Sequence, residues 1–395
     1  MNCRERVLLT LDHNEPDRIP YYEHAIQQPK LAIKLRIQKE SKLDLNIILN
    51  LLRNKNKLSK TIFGLLTTFG NNPKILKPLV RNNPLEKFKL FMKMGVDLSA
   101  FNVLHNGFHF IPPNRLVSGF GQIYEFKFDN GAINAYYVGG FFKTKEDYYR
   151  SVSKLNSSEP LGHLLYKNLI KKVDFKKIFI MPGFFTGLFD STWQGFGIET
   201  FSRFLVKDPT FIKKVVHDRE LLFSEVIKSI IDEFQCDLFF IGDDLAYNSG
   251  PFISPRYFNN IFLPSYKRIS KIIHKHGVKI VFHSDGDIRP ILDGLINCFD
   301  AIHPWQVSAN IDIFQIKEKY GDKICILGNV PIELLVHKTK KEISNYVREL
   351  IKKCGPGGGY MMSSGNSIVR EVPWQNYLTM LNTYRKYRDY PINVN

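Results

Sequence analysis

Lys279-Ile280-Val281-Phe282-His283-Ser284-Asp285-Gly286-Asp287 is an apolar run that ends on a histidine, with two carboxylates in the four residues that follow. Unbroken apolarity marks a strand buried on both faces, as in a parallel sheet. Side chains on a strand alternate, so His283 and Asp285, two apart, share one face at the C-terminal end. Barrel and open α/β enzymes keep their chemistry at that end.

Outward from this stretch the pattern repeats. Strand runs are expected at Lys177–Pro182, Leu238–Asp243, Lys279–His283, Ala301–His303, Ile324–Gly328 and Tyr360–Ser363. Amphipathic helices are expected at about 197–206, 209–234, 255–276, 288–297, 310–319, 339–353 and 373–388. Two earlier strands, near Tyr21-Tyr22-Glu23 and over Leu98–Val103, bring the strands to eight, and a helix from Pro84 to Met94 stops at Gly95. Eight strands alternating with helices predict an α/β fold, a (β/α)8 TIM barrel, rather than a doubly wound sheet. No G-x-G-x-x-G stands at a strand-to-helix turn, so a dinucleotide fold has no support.

Two segments depart from the alternation. Residues 30–83, rich in Lys, Asn and Leu, read as a helical excursion. Gln122–Phe128 and Ala132–Val138 alternate around Asp129-Asn130-Gly131, which predicts a β-hairpin inserted over residues 117–140. No linker splits residues 84–395, and a single barrel domain over 1–395 is expected.

Hydrophobic residues make up 44% of the chain, with no apolar run long enough to cross a membrane and no signal-peptide core at Met1-Asn2-Cys3-Arg4. Five scattered cysteines without a C-x-x-C pair fit reduced thiols, so a cytoplasmic enzyme is expected. The net charge of +17 is spread over helical faces such as Lys171-Lys172 and Lys340-Lys341. That spread speaks against nucleic acid and fits a basic rim for an acidic partner or an anionic substrate.

The strand ends of a barrel converge on one mouth. Here they bring Asp243 and Asp244, His283 and Asp285, His303 and Gln306, Asn329, and Ser364 with Asn366. His283-x-Asp285 is half of a metal site or an acid–base pair, since imidazole and carboxylate on one face suit either. Asp243 and Asp244 point opposite ways on a strand, so one enters the mouth and the other caps a loop or helix. His303, Gln306, Asn329, Ser364 and Asn366 are candidates for binding substrate.

These residues lie in an ordered set of motifs: Glu15-Pro16-Asp17-Arg18-Ile19-Pro20, Asp243-Asp244, Ser254-Pro255-Arg256-Tyr257-Phe258, His283-Ser284-Asp285-Gly286-Asp287, Gly328-Asn329-Val330 and Gly357-Gly358-Gly359-Tyr360 through Pro373-Trp374-Gln375-Asn376. The set resembles the uroporphyrinogen decarboxylase superfamily, which includes corrinoid-linked methyltransferases. The resemblance implies a (β/α)8 barrel, often dimeric.

True decarboxylases of the superfamily carry an Arg-Gln-Ala-Gly-Arg-Tyr segment whose arginines bind substrate carboxylates. The stretch here reads Tyr21-Tyr22-Glu23-His24-Ala25-Ile26-Gln27-Gln28, without arginine, and Asn366 replaces their C-terminal histidine. The methyltransferase branch binds zinc through His-x-Cys and a later Cys. Here His283 is kept, while Asp285 and Asn366 stand at the cysteine positions.

The resemblance therefore implies methyl transfer between a small-molecule methyl donor or acceptor and a corrinoid supplied by a partner protein. In that reading His283, Asp285 and Asp243 or Asp244 are catalytic, and Zn2+ is a candidate ion at His283 and Asp285. The alternatives are a decarboxylase of a tetrapyrrole or smaller acid, and a barrel that binds without catalysis.

Overall fold

The computed structural model describes residues 1–26, 84–104, 108–129, 132–152 and 160–394. Seven parallel strands form one sheet in the order β1 (Leu98–Asn102), β6 (Phe179–Phe184), β7 (Leu238–Gly242), β10 (Lys279–His283), β11 (Ala301–His303), β12 (Cys325–Leu327) and β13 (Tyr360–Met361). Tyr21 and Tyr22 close the ring. Tyr22 N donates to Met362 O at 2.9 Å beside β13, and Glu23 N donates to Leu98 O at 3.3 Å at the start of β1. The eighth strand is thus the short Tyr21-Tyr22-Glu23 segment, and the fold is a (β/α)8 barrel.

The strand pleat sorts the side chains into two cores. Tyr22, Leu98, Ala100, Phe179, Met181, Leu238, Phe240, Val281, Ala301, Cys325, Leu327 and Met361 fill the barrel interior. Their neighbours Ile180, Phe239, Ile241, Ile280, Phe282 and Ile302 pack outward against the helices. The helix Cys3–Leu11 closes the lower end with Cys3, Val7 and Leu11, and carries a capping box of Asn2 and Glu5. Its Arg6 and the neighbouring Arg18 both bond the buried Asp97, at 2.8 and 2.7 Å. This ion cluster is what Asp17-Arg18 of the N-terminal motif builds, since Asp17 takes the other side of Arg6 at 2.7 Å.

The helices Ile198–Lys207, Pro209–Phe234, Ile313–Tyr320, Lys340–Cys354 and Trp374–Tyr387 lie within a few residues of their predicted bounds. The helix expected at 255–276 is interrupted by a wider π turn at Phe258–Phe262 before it continues as Leu263–Lys275.

The inserted hairpin is half of something larger. β4 (Gln122–Asp129) and β5 (Ala132–Gly140) pair as expected, but β2 (Phe108–Ile111) and β3 (Arg115–Ser118) extend them into a four-stranded antiparallel sheet. Strands of four residues carry too little alternation to be legible alone. Tyr137 of β5 packs on Trp193 and donates to Gln194 O at 2.9 Å, so the sheet leans on the helix Leu188–Phe196 that follows β6. A two-residue pair, β8 (Ala246–Tyr247) and β9 (Gly250–Pro251), folds over the loop after β7. The excursion expected at 30–83 and the turn residues Asn130 and Gly131 lie outside the described residues.

Candidate active site

The parity that fills the barrel also selects the residues of its mouth. Val281 and Ala301 point inward, so His283 and His303, two residues on, do so as well; Tyr22 places His24 in the same way. The three imidazoles stack. His24 lies parallel to His283, with ring centroids 5.2 Å apart and planes 7° apart, and His283 stacks on His303 at 5.0 Å.

A chain of hydrogen bonds orders them. His303 Nε2 lies 3.2 Å from the Ser364 carbonyl, which can only accept, so this nitrogen carries a proton. His303 is buried, and burial together with His283 beside it pushes its pKa well below the usual imidazole value, so the ring is neutral. Its Nδ1 is then an acceptor, and His283 Nδ1, 2.7 Å away, donates to it. His283 Nε2 is left facing Asp244 Oδ1 and Asp285 Oδ1, each at 3.8 Å.

Asp244 and Asp285 are both at the mouth. Asp285 N donates to Asp244 Oδ1 at 3.0 Å, and Asn366 Nδ2 donates to Asp285 Oδ2 at 2.7 Å. Asp285 Oδ1 is buried without a hydrogen-bond partner. Burial raises the Asp285 pKa, opposed by His283 and reinforced by the charge of Asp244. The donor atoms of Asp244, His283 and Asp285 all lie within 4.8 Å of one another. An unpartnered carboxylate oxygen facing an imidazole nitrogen fits a divalent cation of mixed nitrogen and oxygen preference. A thiolate is absent from the set, and Asn366 spends its amide on Asp285 and its oxygen on Ser367 N at 2.6 Å.

Asp243 does not reach the mouth. Its parity turns it toward the helix layer, where Oδ2 and Oδ1 accept from Phe189 N and Asp190 N at 2.8 and 2.7 Å, and Tyr266 donates its hydroxyl. It anchors the N-terminus of Leu188–Phe196, with burial pushing its pKa up to about 7. Of the paired aspartates, Asp244 faces the site and Asp243 caps a helix.

The residues expected to bind substrate mostly hold the site together. Gln306 accepts from Gly286 N at 2.7 Å and donates to Asn248 Oδ1 at 3.1 Å, which ties the loop carrying Asp285 to the flap after β7. Asn329 turns out of the mouth toward Trp305 and the helix Lys340–Cys354. Its amide donates to Trp305 O at 2.5 Å, and Tyr346 donates to its oxygen at 3.1 Å. Ser364 supports from below, with Oγ on Glu23 Oε1 at 2.7 Å and its carbonyl on His303.

His24 and Glu23 were not singled out by their sequence, although the strand-end logic that found His283 applies to His24. Tyr22 Oη meets His24 Nδ1 at 2.9 Å, and His24 Nε2 carries no hydrogen bond among the described residues. Burial, with His283 and Lys87 beside it, pushes the His24 pKa well below its usual value. Glu23, fully buried behind the stack, accepts from Tyr21, Tyr377 and Ser364 at 2.6, 2.8 and 2.7 Å. The site opens on a cleft of about 530 Å³ lined by Ala246, Tyr247, Asn248, Ser249, Asp285, Gly286 and Gln306.

Residues 174–387, more than half of the chain and every motif from β6 onward, match the uroporphyrinogen decarboxylase (URO-D) family model. The chain belongs to the URO-D family. Among solved structures, this URO-D protein is similar to a methyltransferase from Methanosarcina mazei, with a TM-score of 0.62 and 12% identity over 98% of this chain and 99% of that one. At that identity the likeness is one of fold. A sugar phosphate isomerase/epimerase from Parabacteroides distasonis matches at TM-score 0.37 and 10% identity over 80% of this chain and 94% of that one. A β-mannanase from the blue mussel Mytilus edulis matches at TM-score 0.37 and 11% identity over 81% and 88%. No curated protein matches the sequence. No helix among the described residues of the URO-D chain is long and apolar enough to cross a membrane.

Proposed function

We propose that this URO-D protein is a methyltransferase that moves a methyl group between a small molecule and a corrinoid borne on a separate protein. The observation that carries the reading is the mouth itself: His283 Nε2 set against Asp244 and Asp285 at 3.8 Å, beside a cleft that Asp285 lines and that has no arginine or lysine in its lining, Lys87 lying instead behind His24 toward Glu23. Two carboxylates repel the octacarboxylate that a porphyrinogen decarboxylase must hold, so decarboxylation of a tetrapyrrole is disfavoured. The full-length likeness in fold to a methyltransferase supports the same branch.

The small molecule enters over Tyr247 and Asn248 and meets Asp285, with His283 3.8 Å behind its carboxylate. A divalent ion on His283 and Asp285 would lower the proton affinity of the acceptor atom. His24, neutral and stacked on His283, leaves Nε2 free of any hydrogen bond among the described residues for one to the substrate. Tyr22 keeps the His24 ring in place through Nδ1.

The test is incubation with methylcobalamin and thiol, amine and phenol acceptors, and of the reduced corrinoid with methylated thiols, methylamines and methoxyarenes, read from the corrinoid's absorbance. Methyl transfer that falls about 100-fold or more in Asp285→Ala and His24→Ala supports the reading. No transfer with any of these classes would sink it, and release of CO2 from uroporphyrinogen would put decarboxylation in its place.

A further inference from the structure

The second cysteine position of the methyltransferase branch is Asn366 here, and its amide is engaged with Asp285 Oδ2. A second carboxylate reaches the site from another strand. Asp244, at the end of β7, reaches to 3.8 Å from His283 Nε2 while its Oδ1 accepts from Asp285 N. β7 and β10 are neighbours in register, Gly242 opposite His283, so the residue two beyond Gly242 projects over the histidine from the adjacent strand.

The hydrogen bonds beneath leave His283 Nε2 as the nitrogen that faces these oxygens. The Ser364 carbonyl takes the His303 Nε2 proton, and the two Nδ1 atoms 2.7 Å apart share one proton, donated by His283 to the buried ring. His283 Nε2 and an oxygen from each of Asp244 and Asp285 lie within 4.8 Å of one another, and Asp285 Oδ1 is buried there without a partner. A divalent cation placed between them would pair with both carboxylates and give the buried Asp285 oxygen its partner.

We infer that the mouth binds one divalent metal ion through His283 Nε2, Asp285 Oδ1 and Asp244 Oδ1, an all nitrogen and oxygen set with Asp244 as the third ligand in place of a thiolate, and that His303 is the positioning residue that turns His283 Nε2 to the metal. A set of one imidazole and two carboxylates accepts harder ions, Mn2+ or Co2+ as well as Zn2+, than a thiolate site does. The inference shares its residues with the methyl-transfer reading but not its reaction. Metal binding without methyl transfer would keep this inference and remove that reading, and methyl transfer by a protein that binds none of the three ions tested would do the reverse.

The experiment is metal titration of chelator-treated protein with Mn2+, Co2+ and Zn2+, followed by calorimetry and by elemental analysis after dialysis. One ion per chain is expected, and the Co2+ form should show weak visible bands without the intense sulfur-to-cobalt absorption of a thiolate site. Asp244→Asn and His303→Phe should each weaken binding about 10- to 100-fold, while Asp244→Glu and His303→Gln, whose amide oxygen accepts from His283 Nδ1, should recover much of it. Asp244 has a half-exposed side chain, 47% accessible, so its variants are expected to fold; thermal unfolding checks this. Failure to bind any of the three ions, a sulfur-to-cobalt band, or unchanged affinity in folded Asp244→Asn would each overturn the assignment.

Discussion

His283 and His303 face each other through their Nδ1 atoms at 2.7 Å, and the backbone carbonyl of Ser364 decides which of the two donates. A carbonyl accepts only, so the proton order runs from His283 to His303 to Ser364. Long-range nitrogen–proton NMR of labelled protein should find His303 protonated at Nε2 alone and His283 protonated at Nδ1. The reverse tautomer at His303 would contradict the order.

Asp243 and Asp244, adjacent in sequence, should behave as unrelated residues. Asp243→Ala leaves two amide N–H groups and the Tyr266 hydroxyl without an acceptor in a buried place, at a cost of roughly 3 kcal/mol. Asp244→Ala removes a half-exposed side chain and should cost under about 1 kcal/mol. Urea unfolding of the two variants measures both; equal losses would mean that Asp243 does not anchor the helix.

Gly286, between Asp285 and Asp287, sits at φ +81°, and a Cβ there would come within 2.3 Å of Ala246 O. Gly286→Ala should lower stability by about 1–3 kcal/mol and displace Asp285 from His283. Affinity for divalent ions is expected to fall further than unfolding at the assay temperature explains, which titration beside thermal melts would reveal.

Glu23 gives the barrel an unusual pH dependence. Burial pushes its carboxyl up to about 7, against hydrogen bonds from Tyr21, Ser364, Tyr377 and the His24 backbone that pull it down. Between the unfolded value near 4.5 and about 7 the folded chain holds a proton that the unfolded chain has lost. The contribution of Glu23 is therefore whole below the lower value and declines as pH rises through the upper one, by on the order of 3 kcal/mol. Urea unfolding of the parent and Glu23→Gln across this range should show the parent's relative stability falling with pH. A relative stability that rises would reverse the sign.

The barrel was legible in the sequence because each buried parallel strand is a short apolar run and each helix an amphipathic one. β10 and β11 were placed to the residue. The extra strands β2 and β3 were not, since four-residue strands in an antiparallel sheet owe their existence to pairing with β4 rather than to a pattern of their own.

By itself the sequence determined that His283 and Asp285 reach the mouth of the barrel together: side chains alternate along a strand, so the two had to share a face. It left open which of Asp243 and Asp244 does so and what His303, Gln306 and Ser364 are for. Those points depend on partners remote in sequence. The N-terminus of Leu188–Phe196 captures Asp243, the Ser364 carbonyl 61 residues away orients His303, and Asn366, 81 residues from Asp285, restrains its carboxylate. Only the closed barrel brings these groups within hydrogen-bond distance, and with them the stack of His24, His283 and His303.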